Sequence, residues 1–381
     1  MSSALIVRRD STFENVCISP ARATKATASC GSIAQINPLE DARWESFVQD
    51  HPRASVFHSS AWLKALSLTY GYEPLAFTTS EHGGNLRDAL LFCKVDSWLT
   101  GKRLVSLPFS DHCNPLAAPD TADAIGETII GQLADKNSFR YIEIRPLHPI
   151  QNIGRIPHTK VSYAFHELDL RPEIDQLFAG FHHASIQRKI RRAEREGLTV
   201  AEGKTKTLLH EFYSLLEATR IRHLVPPQPK RWFENLVGCF GDALTLRVAY
   251  QEQRAVAAMM TLRHRDTLVY KYGCSDASFN RLGGIHLLYW HAIQQAKALG
   301  LRRFDLGRTD ADQRGLITFK GRWGAMKSEL TYLRYSASSN ATHFFDLPSG
   351  NWTAKATQFL MSHMPSPVLS KVGQRLYRHV G

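Results

Sequence analysis

Lys320 and Arg308 have the residue types and the setting of a site that stabilises negative charge. Lys320 stands between two aromatic residues, Phe319 and Trp323, and Arg308 follows Asp305 at the end of an apolar stretch. A cation held beside a reacting carbonyl group stabilises the oxyanion that forms there, and it also binds phosphate. The sequence therefore predicts Lys320, Arg308 and Asp305 as catalytic residues. A surface lysine and an internal ion pair between Arg308 and Asp305 are the competing interpretations.

A strand, a helix and a second strand are needed to position these cations, and the hydrophobic pattern predicts them at 267–273, 283–299 and 302–306. A polar loop is expected to follow and to carry Arg308 and Lys320. The first N–H groups of the helix have no partners inside it and attract anions. The residues expected at this anion site are Arg281, Gly283 and Gly284.

Aromatic side chains are expected around the substrate. Tyr270 and Tyr272 alternate with Lys271 along the first of these strands, which places the two rings on one face and the ammonium group on the other. The rings line a substrate channel or fill the core. Trp62, on an early helix, is expected to pack inward, and we group it with Trp323 among the residues that contact substrate.

The net charge of +12 and the pI near 9.5 favour an anionic partner, such as a phosphorylated substrate, a nucleic acid or an acidic membrane surface. The most basic segment is a predicted helix at 183–196, in which Ile186, Ile190 and Ala193 form one face. The cations expected to bind phosphate on the rest of its surface are Arg188, Lys189, Arg191 and Arg192. A solvated surface without a partner is the alternative.

Asp111, His112 and Cys113 combine the residue types of an acid, a base and a nucleophile. Adjacent side chains rarely converge as a triad requires, so a cysteine nucleophile is disfavoured. We expect a loop in which Asp111 and His112 contact the acceptor, with Asp111 paired to its amine or hydroxyl group. The six cysteines lack metal-ligand spacing, so no metal site is expected, and their irregular placement is typical of a reduced, cytosolic protein. No apolar run reaches the roughly 18–20 residues that cross a bilayer.

The order of predicted elements indicates an α+β fold with mixed, mostly antiparallel sheets and an internal duplication. Both halves follow the series helix, helix, antiparallel strands, helix, strand. The predicted divisions are a disordered tail at 1–31, a first domain at 32–171, a second domain with the catalytic region at 172–336, and a basic helical arm at 337–381. The arm either packs on the body or lies on a membrane surface.

Three segments together resemble the FemAB family of peptidyltransferases over roughly residues 35–335. They are "VFHSSAWLKALSLTYGYEP", "HASIQRKIRRAEREGL", and "FKGRWGA" following "FDLGRTDADQRGL". The resemblance implies two tandem domains similar to the Gcn5-related N-acetyltransferase (GNAT) fold. It also implies that Lys320 matches the lysine of the family's Phe-Lys element, which handles the donor or the transition state.

The resemblance further implies an N-acyltransferase that modifies an amine of a cell-envelope precursor, such as a peptidoglycan or polysaccharide intermediate. Its donor is a co-substrate, aminoacyl-tRNA or acyl-CoA, with no tightly bound cofactor. The expected partners are an anionic or lipid-linked precursor and tRNA, and the expected location is cytoplasmic, at the inner face of the membrane. The alternatives are an acyl-CoA-dependent acetyltransferase of exopolysaccharide biosynthesis and a non-catalytic RNA- or lipid-binding protein.

Overall fold

The structure is a computed structural model that describes residues 32–134, 139–150, 158–336 and 375–379. The predicted tail at 1–31 lies outside the described residues, and so does the predicted arm except for 375–379, which are helical. Within the described ranges, no helix combines the length and the apolar character needed to cross a membrane.

Strands and helices alternate in the order expected of an α+β chain. The strands are β1 (Ala34–Ile36), β2 (Glu73–Thr78), β3 (Leu90–Val95), β4 (Arg103–Val105), β5 (Tyr141–Ile144), β6 (His158–Asp169), β7 (Thr199–Gly203), β8 (Leu244–Gln251), β9 (Arg254–His264), β10 (Thr267–Ser275), β11 (Arg303–Asp310) and β12 (Met326–Ser336). The α-helices are α1 (Trp44–Asp50), α2 (Ser60–Tyr70), α3 (Pro119–Gly131), α4 (Ile174–Gly180), α5 (Arg188–Arg195), α6 (Lys206–Arg222), α7 (Lys230–Phe240), α8 (Gly284–Ala298) and α9 (Arg314–Gly321).

All of these strands form one sheet in the order β1-β2-β3-β4-β5-β12-β6-β11-β10-β9-β8-β7. Reading inward from either edge, three antiparallel pairings are followed by one parallel pairing, β4 with β5 and β10 with β11. The same series of strands therefore occurs twice, as the sequence predicted. The α+β class with a mixed, mostly antiparallel sheet is confirmed.

The two halves exchange strands at the centre of the sheet. β6 follows the first half in the chain, yet it lies between β12 and β11. β12, at the end of the second half, pairs with β5 of the first half as well as with β6. The predicted boundary at 171/172, which assigns β6 to the first domain, stays a prediction.

Helices cover both faces of the second half of the sheet. α2, α6 and α7 share one hydrophobic cluster, and α5 and α8 share another. We call these sides the α2 face and the α8 face. Residues of β10 alternate between them, since Leu268 belongs to the α8 face and Val269 to the α2 face.

The predicted elements around the site are present, with two corrections. Arg308 lies in β11 and Lys320 in α9, and not in a polar loop, because β11 continues in pairing with β6 as far as Asp310. Tyr270 and Tyr272 do not share a face, because a β-bulge between them breaks the alternation. Tyr270 packs on the α8 face and Tyr272 on the α2 face.

Candidate active site

A gap opens in the sheet between β10 and β11. The two strands pair only from Thr267 to Val269 and from Arg303 to Asp305, although β10 runs on to Ser275 and β11 to Asp310. Both strands are irregular where the pairing stops, with register shifts at Tyr270/Tyr272 and at Asp305/Arg308. We call this opening the β10–β11 gap. Backbone and side chains there can approach a ligand from both strands.

A loop from the first half inserts Asp111 beside this gap. The Asp111 carboxylate lies 3.0 Å from Lys271 Nζ, on the bulge of β10. It also contacts the bulge of β11, because a Cβ at Gly307 would lie 3.3 Å from Asp111 Oδ2. Gly307 has a φ of 71°, so this position suits glycine for its conformation and for its lack of a side chain.

Strained backbone and several hydrogen bonds hold the Asp111 loop in place. Leu107 and Phe109 adopt φ values of 66° and 60°, which non-glycine residues rarely adopt. The Leu107 carbonyl accepts a hydrogen bond from Arg145 Nη1 at 2.7 Å, and the Asp111 carbonyl accepts one from the Tyr332 hydroxyl at 2.6 Å. Strained backbone of this kind is kept only where many surrounding contacts hold it, and it is frequent at functional sites.

Lys271 is buried under aromatic rings on the α2 face. Its Nζ lies 5.2 Å from the Phe57 centroid and 5.5 Å from the Trp62 centroid, within the range of cation–π attraction. Burial alone would raise the pKa of Asp111, but the nearby charges of Lys271 and Arg308 outweigh it and lower that pKa. Asp111 and Lys271 therefore form an ionised pair.

His112 connects the same loop to β11. Its Nε2 lies 2.9 Å from Asp305 Oδ2, and Asp305 Oδ1 accepts a hydrogen bond from the Gly307 N–H at 2.7 Å. His112 Nδ1 is buried and has no partner among the described residues. A small cavity of about 80 Å³ borders both side chains, and Val269, Glu167 and His264 line it as well. The predicted ion pair between Arg308 and Asp305 is absent from the described residues, because Asp305 is paired with His112.

Lys320 completes this group of charges. Its side chain is 2% exposed, and its Nζ donates to the Gly307 carbonyl at 2.9 Å and to the Arg308 carbonyl at 3.1 Å. Burial lowers the pKa of Lys320 to about 8, against the opposing influence of Asp111 and Asp305. An ammonium group has three protons, so one remains for a ligand. We use the term charged cluster for Asp111, His112, Lys271, Asp305 and Lys320.

Arg308 lies next to the charged cluster and keeps its hydrogen-bonding capacity. Its guanidinium carbon is 4.4 Å from the Tyr163 centroid and 5.3 Å from the Tyr332 centroid. No residue in the described part of the chain accepts a hydrogen bond from this guanidinium or forms an ion pair with it. A stacked arginine with free N–H groups is suited to bind carboxylate or phosphate.

The predicted anion site at the start of α8 serves helix packing. A Cβ at Gly283 would lie 2.5 Å from the Lys189 carbonyl oxygen, and one at Gly284 would lie 3.1 Å from Ala257 Cβ. Gly283 therefore lets α5 pack directly onto the beginning of α8, and Gly284 lets β9 pack closely there. Arg281 is exposed beside them, and its carbonyl accepts a hydrogen bond from Lys189 Nζ at 3.4 Å. Anion binding at this point stays a prediction.

The basic helix lies on the α8 face of the sheet, whereas Lys271 of the charged cluster lies on the α2 face. α5 follows a π-helical turn, His183–Gln187, and packs through Ile186 and Ile190 on the α8 face. Besides Lys189, two more of its cations have intramolecular contacts, since the Arg191 guanidinium lies 5.4 Å from the Phe178 centroid and Arg192 pairs with Glu196 at 3.3 Å. Arg188 is exposed.

The remaining predicted residues are core residues or are chemically inert. Trp62 and Trp323 are fully buried, Trp62 on the α2 face and Trp323 against Tyr289 on the α8 face. Cys113 is buried with its Sγ 3.4 Å from His58 Nε2, and burial raises the pKa of its thiol to about 12. A thiolate nucleophile is therefore disfavoured there, as the sequence indicated. Within the described ranges, His, Cys, Asp and Glu side chains form no group of three that could hold a metal ion.

Sequence reasoning missed one member of the charged cluster, Lys271, and three residues near the cluster, Tyr163, Tyr332 and His166. Lys271 had a signal, because a lone cation inside "VYKYGC" is unusual for a buried strand. Tyr163, Tyr332 and His166 had none, because they come from β6 and β12, whose position depends on the strand exchange. His166 is buried, and burial together with Lys320 lowers its pKa to about 4.

Comparison with known proteins gives one family match and several similar folds. Residues 181–320 match the model of the acetyltransferase (GNAT) domain. A crystal structure of FemX is 14% identical with a TM-score of 0.59, covering 80% of this chain and 97% of that one. The C-terminal domain of a protein named as a lysylphosphatidylglycerol synthetase, from Agrobacterium fabrum, is 12% identical with a TM-score of 0.52, covering 89% and 98%.

L-PGS from Bacillus licheniformis is 14% identical with a TM-score of 0.51, covering 88% of this chain and 96% of that one. No curated protein sequence matches the chain. The matched region includes α5, β10 and β11, and with them Lys271, Asp305 and Lys320 of the charged cluster. Asp111 and His112 lie outside the matched region. Residues 181–320 thus match a GNAT acetyltransferase domain, and the chain has a fold similar to that of FemX.

Proposed function

We propose that this protein transfers an acyl group to an amine of an anionic cell-envelope precursor. The observation that carries the proposal is the convergence of the charged cluster at the β10–β11 gap, within and beside a GNAT domain. Burying several charges is costly and is a feature of functional sites more than of cores. The name of one structural neighbour, a lysylphosphatidylglycerol synthetase, supports an envelope acceptor.

Lys320 has the position and the charge to stabilise the oxyanion. Two of its protons are held by the carbonyl groups of Gly307 and Arg308, and with a pKa of about 8 it is mostly charged at neutral pH. Its third proton is available for the oxygen that becomes negative when the amine attacks the donor carbonyl. A preorganised donor of this kind contributes on the order of 10²–10³ in rate.

His112 is our candidate for the base that accepts the amine proton. Asp305 binds its Nε2, which leaves the unpaired Nδ1 as the acceptor. In the proposed step the nitrogen–carbon bond forms, the bond from the carbonyl carbon to the donor's leaving atom breaks, and the amine proton passes to His112. Asp111, which is ionised beside Lys271, binds the acceptor's ammonium group before this transfer.

The two faces of the sheet suggest where each substrate binds. The cations of α5 at the α8 face, together with Arg281, are proposed to bind donor phosphates. The α5 residues assigned to this role are Arg188, Lys189, Arg191 and Arg192. Asp111 and Arg308 are proposed to bind the acceptor, with Arg308 contacting its carboxylate or phosphate. The carbonyl centre then lies in the gap, next to Lys320.

A donor screen with the purified protein tests the proposed reaction. Consumption of acyl-CoA with an amine acceptor supports a thioester donor and an exopolysaccharide or related acceptor. Dependence on charged tRNA supports a peptidoglycan or lipid aminoacyl transfer. If neither activity is detected, and the Lys320 variant described next binds RNA or lipid as wild type does, the non-catalytic alternative is favoured.

Lys320→Met separates an enzyme from a binding module. We expect turnover to fall by about 100-fold or more, because the oxyanion loses its donor. Lys327→Met is the matched control, since Lys327 is an exposed lysine seven positions further along the chain, and it should leave turnover unchanged. Folding of both variants is checked by circular dichroism. Wild-type turnover in folded Lys320→Met contradicts the catalytic assignment.

A further inference from the structure

An exposed apolar tip on the first half has no role in the proposed chemistry. Trp98 is 86% exposed and its neighbour Leu99 is 39% exposed, in the turn that joins β3 to β4. Among the described residues, the other exposed large hydrophobic side chains are Leu68, Leu299, Leu316 and Met326, and no two of them are adjacent in the chain. These two adjacent residues form a small apolar surface. Within the described structure, the contact found for it is between the Trp98 and His379 rings. We call Trp98 and Leu99 the apolar tip.

The helical segment 375–379 packs directly against this turn. The Trp98 ring lies 5.6 Å from the His379 ring, and Ser97 Oγ lies 2.9 Å from His379 Nδ1. The His379 carbonyl accepts hydrogen bonds from Thr100 Oγ1 at 2.9 Å and from Arg103 Nη2 at 2.6 Å. These contacts hold the tip and the segment together as one surface.

Cations surround the apolar tip. Lys102 and Arg140 are exposed and adjoin the turn, since the Lys102 carbonyl accepts a hydrogen bond from the Arg140 N–H at 2.7 Å. Arg375 and Arg378 are exposed on the helical segment, and Arg375 lies one turn before His379. Four exposed cations thus lie next to the turn or on the helical segment that packs against it, and the turn itself has one exposed acid, Asp96.

We propose that the apolar tip and its cations dock the protein on an anionic phospholipid surface. Tryptophan favours the boundary between lipid head groups and acyl chains, and leucine inserts just below it. Each lysine or arginine near an anionic leaflet adds about 1 kcal/mol of attraction. Charge complementarity therefore selects a lipid surface over an apolar protein partner or a second copy of this basic chain.

Tyr377 connects this surface to the loop that carries Asp111. The Tyr377 ring lies 5.8 Å from the Phe109 ring, and Phe109 precedes Asp111 by two residues in the strained loop. Docking at 375–379 therefore places the loop that carries Asp111 close to the bilayer. A loop in this position favours a lipid-linked acceptor, and this part of the inference rests on the proposed function. The docking itself does not depend on the proposed function.

Vesicle binding of the full chain tests the docking. Binding is measured by co-sedimentation with phosphatidylcholine vesicles and with vesicles that also contain phosphatidylglycerol, at low and high salt. We expect binding to the phosphatidylglycerol vesicles only, with a loss as salt rises. Trp98→Ala should weaken this binding about tenfold or more, because the interfacial anchor is lost. Lys102→Gln with Arg378→Gln should weaken it about 30-fold, roughly fivefold for each charge.

Met326→Ala is the matched control, because Met326 is 73% exposed and lies at the start of β12, where β12 pairs with β6 and not with β5. It should bind vesicles as wild type does. Equal binding of Trp98→Ala and wild type overturns the proposal, and so does equal binding to both kinds of vesicle. Concentration-dependent self-association that disappears in Trp98→Ala would also overturn it and assign the tip to a second copy. Turnover with a soluble acceptor should be the same in Trp98→Ala, so failed docking leaves the proposed reaction standing.

Discussion

Individual side chains at the β10–β11 gap are held in ionised forms that the protein interior opposes. Burial disfavours the charged form of Asp111, yet its pKa is lowered, because Lys271 and Arg308 lie close to it. Burial lowers the pKa of Lys320 only as far as about 8. The cluster is stable because each charge has an opposite charge or a carbonyl group beside it. Substitution of one member therefore affects its partners.

The stability of the protein should depend on pH through Lys320. Its pKa is about 8 in the folded protein and 10.5 in its ordinary state, so the unfolded chain binds more protons between these values. Its contribution to the free energy of unfolding is therefore least favourable below pH 8 and rises with pH up to about 10.5. Lys320→Met removes this dependence. Urea unfolding at pH 7 and pH 9.5 should show wild type gaining stability relative to Lys320→Met, and Lys327→Met should follow wild type.

Asp111→Asn should be strongly destabilising, because it leaves the buried Lys271 ammonium group unpaired. Removing one partner of a buried pair costs about 3–5 kcal/mol. Asp169→Asn is the control, since the Asp169–Arg171 pair is exposed and is worth less than about 1 kcal/mol. The measurement is urea unfolding at neutral pH.

The double variant Asp111→Asn with Lys271→Met should recover most of the stability lost in Asp111→Asn, because neither charge is then buried. A double variant as unstable as the sum of the two single variants would show that the two side chains do not act as a pair.

The sequence was a good guide to residues whose neighbours in the chain reveal their role. Lys320 lies between aromatic residues, and the "SDHC" segment concentrates polar types, so both were visible without a structure. Tyr163 and Tyr332 could not be assigned, because they meet Arg308 only after two strands from different halves come together. Lys271 was placed opposite both tyrosines, whereas the bulge puts it on the α2 face together with Tyr272.

At the scale of elements, paired bulges in β10 and β11 create the site. Regular pairing through to Asp310 would leave no space for Asp111, and the bulge at Gly307 exposes the carbonyl groups that Lys320 binds. Local pattern predicted β10 and α8 within about two residues. It missed α9 and the extension of β11, because the pairing of β11 with β6 is long-range.

Gly307→Ala should destabilise the protein more than replacement by alanine of another glycine that has a similar φ. Gly71 is the matched control, because its φ is 72° and no atom lies within 4 Å of the position a Cβ would take. Gly71→Ala should cost about 1 kcal/mol from backbone strain alone. Gly307→Ala adds a contact at 3.3 Å with the Asp111 carboxylate, so it should cost more and also reduce turnover.

Thermal unfolding and steady-state kinetics of the two alanine variants provide the comparison. Equal stability losses, with turnover unchanged in both, would show that the Asp111 carboxylate does not depend on the space at Gly307.

At the scale of the whole molecule, the exchange of β6 and β12 joins the halves into one sheet. β12 has β5 on one side and β6 on the other, so neither half completes its central strands alone. The duplication was predictable because the order of elements repeats along the chain. The exchange was not, because β6 and β12 carry no local sign of which strand they pair with.

A fragment of residues 158–336 should fold better than one of residues 172–336. The longer fragment keeps β6 and therefore the continuous order β12-β6-β11-β10-β9-β8-β7, whereas the shorter one leaves β12 without a neighbour. Circular dichroism, solubility and a cooperative thermal transition distinguish the two. If the shorter fragment is equally stable, the boundary at 171/172 predicted from the sequence is the better one.

The strand exchange also determines when the central strands can pair during synthesis on the ribosome. β5 is made early, but its neighbour β12 emerges almost 200 residues later, since Ile144 pairs with Leu333. Until then the β5 edge of the nascent first half is unpaired and can pair with other exposed strands. Chaperones limit such mispairing. Arg308 meets the Tyr332 ring only when this last strand arrives. In an unfinished polypeptide the proposed site is therefore incomplete, because Arg308 still lacks its Tyr332 neighbour.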